Sequence, residues 1–405
     1  MQIEVGYSEH PESDVAGTNA AKRAILKANR SDPCDLVLVF ATALHNMSHL
    51  RGGIASAVGE KVPIIGGGAV GAISNDRFGY AGEQVILAAV WLEGVGFEMF
   101  SKGEIAGREH HVGKSIGKKM AEAGLGEKTA CILLYDAVDR SRGDVRLNLA
   151  TPLMEGIEEG LGFLPSTLIG AGLQGDYQNS TTMQLTGSKL VEQYAMMLAF
   201  KGDVAIDSTI MHGCRPYGEI YTVTKADKQT ILEVNGQPAL PFIQSQLRPQ
   251  LPVEEFPFFM IFGVNKDPGN PYNEVNYANR LCLAIDPPRN GIVMFESDMV
   301  EGTKFQIMYR SLDLKYIPPK IELLFQKARE QRRKPVLAIY IDCAGRAAAY
   351  GGGDLEDAEI VQNAVDSRVP LLGIYSGVEI APILNKPRTL DWTGVFSLIT
   401  TPGKA

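Results

Sequence analysis

The chain has no C-x-x-C pair, no apolar run long enough to cross a bilayer and no excess of basic residues. Its five cysteines (Cys34, Cys131, Cys214, Cys282, Cys343) stand singly over 405 residues, a pattern that gives neither a zinc site nor a disulfide framework. The most continuous apolar runs, such as VILAAVWL (85–92), fall far below the roughly 20 residues a transmembrane helix needs. Acids outnumber Lys and Arg by 47 to 39, for a net charge of −8. Nucleic acid is therefore excluded as a main partner, because phosphate binding needs a basic surface. The one basic run, KAREQRRK (327–334), closes a helical pattern, where cations suit the dipole. The start, MQIEVGYSEH, has no basic segment leading into an apolar one, so no secretory signal is read. The expectation is a reduced, cytoplasmic protein without membrane insertion.

What is present is the ordinary content of a folded chain, 45% hydrophobic and 21% charged, with a length suited to two or three domains. It also repeats itself. DLVLVF (35–40), a helical stretch, VPIIGGGAVGAI (62–73) and VILAAVW (85–91) have counterparts in ACILLYD (130–136), LMEGIEEGLG (153–162), STLIGAGLQGDY (166–177) and YAMMLAF (194–200). The same order recurs in PVLAIYID (335–342), DAEIVQNAVDS (357–367), VPLLGIYSGVEIAP (369–382) and GVFSLIT (394–400). A strand and helix precede each: IEVGYS (3–8), FEMFS (97–101) and FQIMYRS (305–311), each followed by an amphipathic stretch. The predicted fold is α/β, three β-α-β-α-β-β units with a β-rich insertion before the third. The insertion, about 201–300, alternates apolar and polar residues, with hairpin signals at Asn235-Gly236 and DPPRNG (286–291). It opens a second domain, 204–405, after a first of 1–203.

Gly66-x-Gly68-x-x-Gly71 and Gly170-x-Gly172-x-x-Gly175 match the dinucleotide fingerprint, but no helical periodicity follows either, so neither offers a helix N-terminus to a pyrophosphate. Six residues beyond Gly66, Gly170 and Gly373 stand Ala72, Asp176 and Glu379. Either the acids cap their own turns, or the copies line a common cleft in which glycines such as Gly68 and Gly172 admit a ligand to the main chain.

DCAGRAAAYGGGDLEDAEI (342–360) followed by VPLLGIYSGVEIAP resembles the end of the FIST domain. DLVLVF…VPIIGGGAVGAI resembles the opening of its N region, GCRPYGEIYTVTKADKQTILEVNGQPALPFI (213–243) the start of its C region, and RLCLAIDPPRNGIVMFESDMVEGTKFQI (280–307) its later strands. The resemblance covers essentially the whole chain. It implies a sensory module for small ligands, amino acids or small carboxylates, here stand-alone and signalling to a separate, unidentified protein; some relatives are reported to bind haem.

The residues offer chemistry of the same kind. Arg346 presents a fork for a carboxylate and Glu379 an acid for an ammonium group, which suits a zwitterion; alternatively the two pair with each other. Tyr375 and Ser376 add neutral hydrogen-bonding groups beside Cys343, which is either a low-pKa nucleophile or a small buried strand-end residue. The ligand site is placed at Cys343, Arg346, Tyr375, Ser376 and Glu379, with Gly68, Gly172 and Asp176 as secondary positions. No catalytic residue, metal or cofactor is expected. The alternatives are a haem sensor using His45, His49 or His212; a metal on the His45/His49 pair; an amidohydrolase-like enzyme with Ser141, Ser376 and Lys189 at the repeat junction; and a scaffold with exposed apolar patches.

Overall fold

The computed structural model describes residues 1–140, 143, 145–247 and 251–403. It is a mixed α/β fold with several sheets and, among the described residues, eight α-helices. The first stretch runs β1 (Gln2–Ser8), α1 (Ser13–Ala28), β2 (Leu36–Ala41), α2 (Met47–Val58) and β3 (Ile64–Gly68). A short hairpin, β4 (Gly71–Ile73) and β5 (Phe78–Tyr80), precedes β6 (Val85–Trp91). The second stretch runs β7 (Gly96–Gly103), α3 (Glu109–Glu122) and β8 (Cys131–Asp136), then the small pair β9 (Val138–Asp139) and β10 (Arg146–Leu147). It continues with α4 (Ala150–Leu161), β11 (Ile169–Leu173), the hairpin β12 (Gln184–Gly187) and β13 (Lys189–Val191), and β14 (Tyr194–Lys201).

After β15 (Ala205–Met211) comes the insertion: β16 (Cys214–Asp227), β17 (Thr230–Val234), β18 (Gln237–Pro238), α5 (Ala239–Gln246), β19 (Ile261–Asn265), β20 (Tyr277–Asp286), β21 (Gly291–Met294) and β22 (Lys304–Arg310). The chain then returns through α6 (Ile317–Glu330), β23 (Arg333–Cys343), α7 (Ala348–Gly351), α8 (Asp357–Val365) and β24 (Leu371–Ser376). It ends with the hairpin β25 (Val378–Ile383) and β26 (Lys386–Leu390), and β27 (Gly394–Pro402).

Three six-stranded sheets share one order: β1-β6-β2-β3-β12-β13, β7-β14-β8-β11-β25-β26 and β15-β27-β23-β24-β4-β5. In each, the last two strands are a hairpin lent by a different stretch. The first stretch completes the third sheet, the second completes the first, and the third completes the second. Strands on either side of residue 203 therefore build two of the sheets jointly.

Alternation along the central strands explains the layering. Leu36, Leu38 and Phe40 of β2, Ile132 and Leu134 of β8, and Ile339 and Ile341 of β23 enter one shared core. The intervening residues face helices: Val37 and Val39 meet α1 and α2, Cys131 and Leu133 meet α3 and α4, and Ala338 and Tyr340 meet α6 and α8. Successive strand side chains point to opposite faces, so a run apolar on both faces needs cover on both.

Two features differ from the expected architecture. FQIMYRS does not open the third unit: β22 pairs with β16 and β19 in the insertion's own seven-stranded sheet. Its expected place beside β27 is taken by β15, so the insertion interrupts the third stretch after that strand. The unit also carries the exchanged hairpin, which the six-element pattern lacks. Within the insertion, Asn235-Gly236 turns β17 into β18 with φ of 51° and 75°, as a hairpin turn of this type requires. After Pro238 the chain coils into α5.

Candidate functional site

In the third sheet, β23 and β24 run parallel and end together, with Cys343 opposite Ser376. The main chain then crosses to the second sheet: Gly377 N–H donates to Gly172 O at 3.1 Å, and β25 begins beside β11. A Cβ at Gly377 would stand 2.6 Å from Gln174 Oε1, so the crossing admits no larger residue without movement. The insertion roofs this step with Phe258, Leu281, Leu283 and Phe295, enclosing a cavity of about 570 Å³. That volume is typical of small-molecule sites, and its place beyond the carboxyl ends of β11, β23 and β24 is where α/β sheets gather ligands.

One side of the mouth is aromatic. Tyr177 and Tyr350 stack at 3.8 Å, and Tyr177 Oη donates to Ala344 O at 2.9 Å. The floor is acidic. Asp391 and Glu296 both line the cavity and are 4% and 1% exposed. Asp391 Oδ2 accepts from Leu281 N–H at 2.9 Å, whereas Oδ1 is buried without a hydrogen-bond partner. Burial, opposed by the nearby Arg280 charge, pushes the Asp391 carboxyl up to about 6. Glu296 accepts from Ala150 N–H and Thr151 N–H at the start of α4; burial and then Asp391 push it up to about 7. Next to Asp391, Trp392 holds a left-handed backbone (φ 51°), and its indole Nε1 is buried without a partner. A bulky residue in that region is strained by about 1–3 kcal/mol, a cost that structures concentrate at functional sites.

The residues expected from the sequence are divided by this geometry. Cys343 and Ser376 lie on the cavity wall. Glu379 lies behind them, fully buried, accepting from Ser376 Oγ at 3.1 Å and from Thr393 N–H at 3.3 Å. Burial, then Asp391 and Asp342, hold its carboxyl well above the usual range. Arg346 is not on the wall and does not pair with Glu379. Its Nε meets Asp342 Oδ1 at 3.0 Å, its Nη2 meets Asp357 and Tyr316 Oη, and its Nη1 donates to His212 O. Tyr375 is also interior: its hydroxyl donates to Glu356 Oε2 at 3.2 Å and its ring packs edge-on against Tyr80.

The secondary positions are not on the cavity wall. A Cβ on Gly68 would meet Thr182 Cγ2 at 2.7 Å, and one on Gly172 would meet Tyr135 Oη at 2.8 Å. These glycines let neighbouring chain segments approach. Asp176 caps its own turn, accepting from Gln178 and Ser180 N–H at 2.9 Å. Ala72 sits on β4 and Glu379 on β25.

The remaining chemistry is equally specific. Burial, then Glu379, hold the Cys343 thiol well above its ordinary value, opposite to what an activated nucleophile needs. Ser376 has no lysine beside it on the wall, Lys189 is exposed on β13, and Ser141 lies outside the described residues. His45 precedes α2 rather than joining it, and its ring bonds Ser13 Oγ and Glu83 O, so it shares no helix face with His49. His212 is fully buried with Nδ1 accepting from Cys214 N–H and Nε2 against Glu274 O; burial lowers it to about 4. No histidine lines the cavity among the described residues, so His45, His49 and His212 are not on its wall. Nor do the described residues group three His, Cys, Asp or Glu side chains suited to a metal ion. No described helix is long and apolar enough to cross a membrane.

Sequence reading missed Asp391, Trp392, Glu296 and the aromatic roof. The only local signal was DWTG (391–394), a lone tryptophan in a turn before the last strand.

Comparison with known proteins bears on the whole arrangement. Two uncharacterized proteins of Mycobacterium tuberculosis, from strains CDC 1551 / Oshkosh and ATCC 25618 / H37Rv, are each 27% identical over 199 residues, 47% of this chain. The match spans about half (50%) the length of those relatives. Among solved structures, that of PurLQS from Thermotoga maritima aligns with 99% of this chain and 72% of its own at 11% identity and a TM-score of 0.21, too low to carry an argument. The FIST N domain matches residues 35–237 and the FIST C domain residues 239–382. The chain belongs to the FIST family, whose domains are associated with sensing in signal transduction.

Proposed function

We propose that this protein is a small-ligand-binding sensor, that its ligand occupies the cavity between the second sheet, the third sheet and the insertion, and that occupancy is passed to a separate signalling partner. The observation that carries this reading is a cavity of about 570 Å³, lined mostly by apolar and aromatic side chains with the buried acids Asp391 and Glu296 among them, beyond the carboxyl ends of three strands. The place of the cavity suits a sensor, because a ligand there touches three parts of the chain at once and biases their relative positions.

The test is a thermal-shift screen over amino acids, small carboxylates and other small organic molecules, repeated with Leu283→Trp, which fills the space from the roof. A ligand at 100 times its Kd stabilises the native state by about 2.7 kcal/mol, enough for roughly 2–4 °C in a chain of this size. Shifts confined to the unblocked protein are expected. Equal shifts in the blocked variant, or none in either, overturn the reading.

A further inference from the structure

Independently of the first cavity, we infer that a second groove binds a molecule with an aliphatic chain and a carboxylate end, the carboxylate pairing with Arg310. The groove, of about 780 Å³, is bordered by the insertion and by Gly351 and Gly352 at the end of α7, and it shares Phe259 and Trp392 with the first cavity. Its volume is that of a small-molecule site. Met260 and Ile261 at the start of β19, with Ile307 and Met308 on β22, make its floor apolar. Beside them Phe259, Tyr309 and Leu312 are 65%, 50% and 60% exposed, and contiguous apolar surface left to water marks a place where something binds.

Arg310 is the one charged side chain on this wall among the described residues. The buried arginines nearby are matched by acids, Arg280 by Asp298 and Arg346 by Asp342 and Asp357. Arg310 is not: its Nη1 donates to Gly351 O at 2.7 Å and its Nη2 to Arg346 O at 3.5 Å, both main-chain carbonyls, and it has no ion-pair partner. Its Nε makes no hydrogen bond and, unlike the sealed Nε of Arg388, stays open to solvent. The guanidinium is also held ready, over the Trp392 ring at 5.4 Å. A Cβ at Gly351 would collide with Nη1, so the glycine lets Arg310 lie against α7. A half-buried cation with free N–H groups and no counter-charge favours an anion, and a guanidinium suits a carboxylate. The apolar floor then selects an aliphatic chain over a sugar or a phosphate, whose polar groups it would leave unpaired.

Calorimetric titration of the whole protein with octanoate, octan-1-ol, octylamine and butanoate tests this. Octanoate should bind with a Kd at least about tenfold below those of the alcohol and the amine, the worth of one charge-assisted pair. It should also bind at least about tenfold more tightly than butanoate, through its longer chain. Arg310→Gln should weaken octanoate by about tenfold or more and leave octanol within about threefold. Leu312→Asp, at an exposed position, sets a repelling acid on the wall and should weaken octanoate likewise, so it decides the matter if Arg310→Gln fails to fold. Leu283→Trp, which fills the first cavity, should leave octanoate binding as it was. The assignment is overturned if octanoate does not bind, if octanol or octylamine binds as tightly, or if folded Arg310→Gln binds octanoate unchanged. Loss of octanoate binding in Leu283→Trp with none in Leu312→Asp would put it in the first cavity and remove the second site. Acetyltrileucine binding where octanoate does not would make the groove a receptor for a protein chain end, and the aliphatic-acid assignment would fall.

Discussion

Glu296, in the turn after β21, caps α4 from outside its own stretch of chain: Oε1 accepts from Ala150 N–H at 3.1 Å and Oε2 from Thr151 N–H at 3.0 Å. No cap hydrogen bond comes from the side chain at the helix's own N-cap, Leu149. The insertion thereby supplies to the second sheet's helix what that helix lacks, an acceptor at the positive end of its dipole. Glu296→Ala should cost about 2 kcal/mol, a lost cap together with unsatisfied buried donors. Glu296→Gln, which keeps one acceptor, should cost less than half of that. Urea denaturation of the two variants checks the order, and equal stability of wild type and Glu296→Ala would rule out the cap.

The same acids set a pH dependence. Glu296, pushed up to about 7 by burial and then Asp391, and Asp391, pushed up to about 6 by burial, bind protons more tightly folded than unfolded. Asp342 and Glu379 shift the same way, mainly through burial. The charges facing Asp391 are Arg280 and Asp298, with Glu296 and Glu379 also close enough to be raised by it. For a carboxyl raised in the folded state, the stabilising proton is present at low pH and lost as pH rises through the folded value. His212 acts in the opposite sense: lowered to about 4 by burial, it destabilises only as pH falls below about 6.5. Stability should therefore fall between pH 6.5 and 8, each raised carboxyl contributing at most about 1.4 kcal/mol per pH unit. Glu296→Gln should flatten that slope. A profile level or rising across this window, measured by chemical denaturation at constant ionic strength, contradicts the assignment.

Arg346 gives a contrasting prediction, because its role is internal. It stands between Asp342 and Asp357, and all three side chains are at most 1% exposed. Arg346→Met strands two carboxylates in the core and should cost about 3–5 kcal/mol. Adding Asp342→Asn and Asp357→Asn to that variant should recover more than half of the loss, since the uncompensated charge is then gone. If the triple variant is no more stable than Arg346→Met, packing rather than charge accounts for the loss.

The legible part of this molecule was whatever repeats locally. Runs such as LVLVF and ILLY, apolar on both faces, marked strands covered on both sides, and of the α1 face read from its spacing (Ala21, Ala24, Ile25, Ala28) the three alanines are buried and Ile25 is partly buried, with Ala20 buried beside them. The exchanged hairpins were not. β4 and β12 are three and four residues long, too short for a periodicity, and their partners lie in other stretches. FQIMYRS was misplaced because β22 alternates as convincingly as a first strand would, and only its pairing shows which sheet it serves. Cys343 and Ser376 fall on the cavity wall because they end strands that the repeat aligned. Arg346 attracted attention as a charge near a glycine cluster, but one sequence does not tell a ligand's guanidinium from one already claimed by Asp342 and Asp357. Asp391 and Glu296 come from distant segments and acquire meaning only through what they lack or cap.

Trp392 offers a direct readout of occupancy. The chain has two tryptophans. Trp91 is buried in the layer between the first sheet and α1, with its indole N–H donating to Asp32 O at 3.1 Å. Trp392 lies on the cavity wall with its N–H unbonded. A ligand that enters the cavity changes the surroundings of Trp392 and leaves those of Trp91 as they were. Any compound that stabilises the protein should therefore alter its tryptophan emission saturably, with the same Kd as the thermal shift reports. Trp392→Phe should abolish the emission change, with the thermal shift left to report any binding that remains. Trp91→Phe should leave the emission change intact. Compounds that stabilise the protein without touching Trp392 emission would bind outside this cavity.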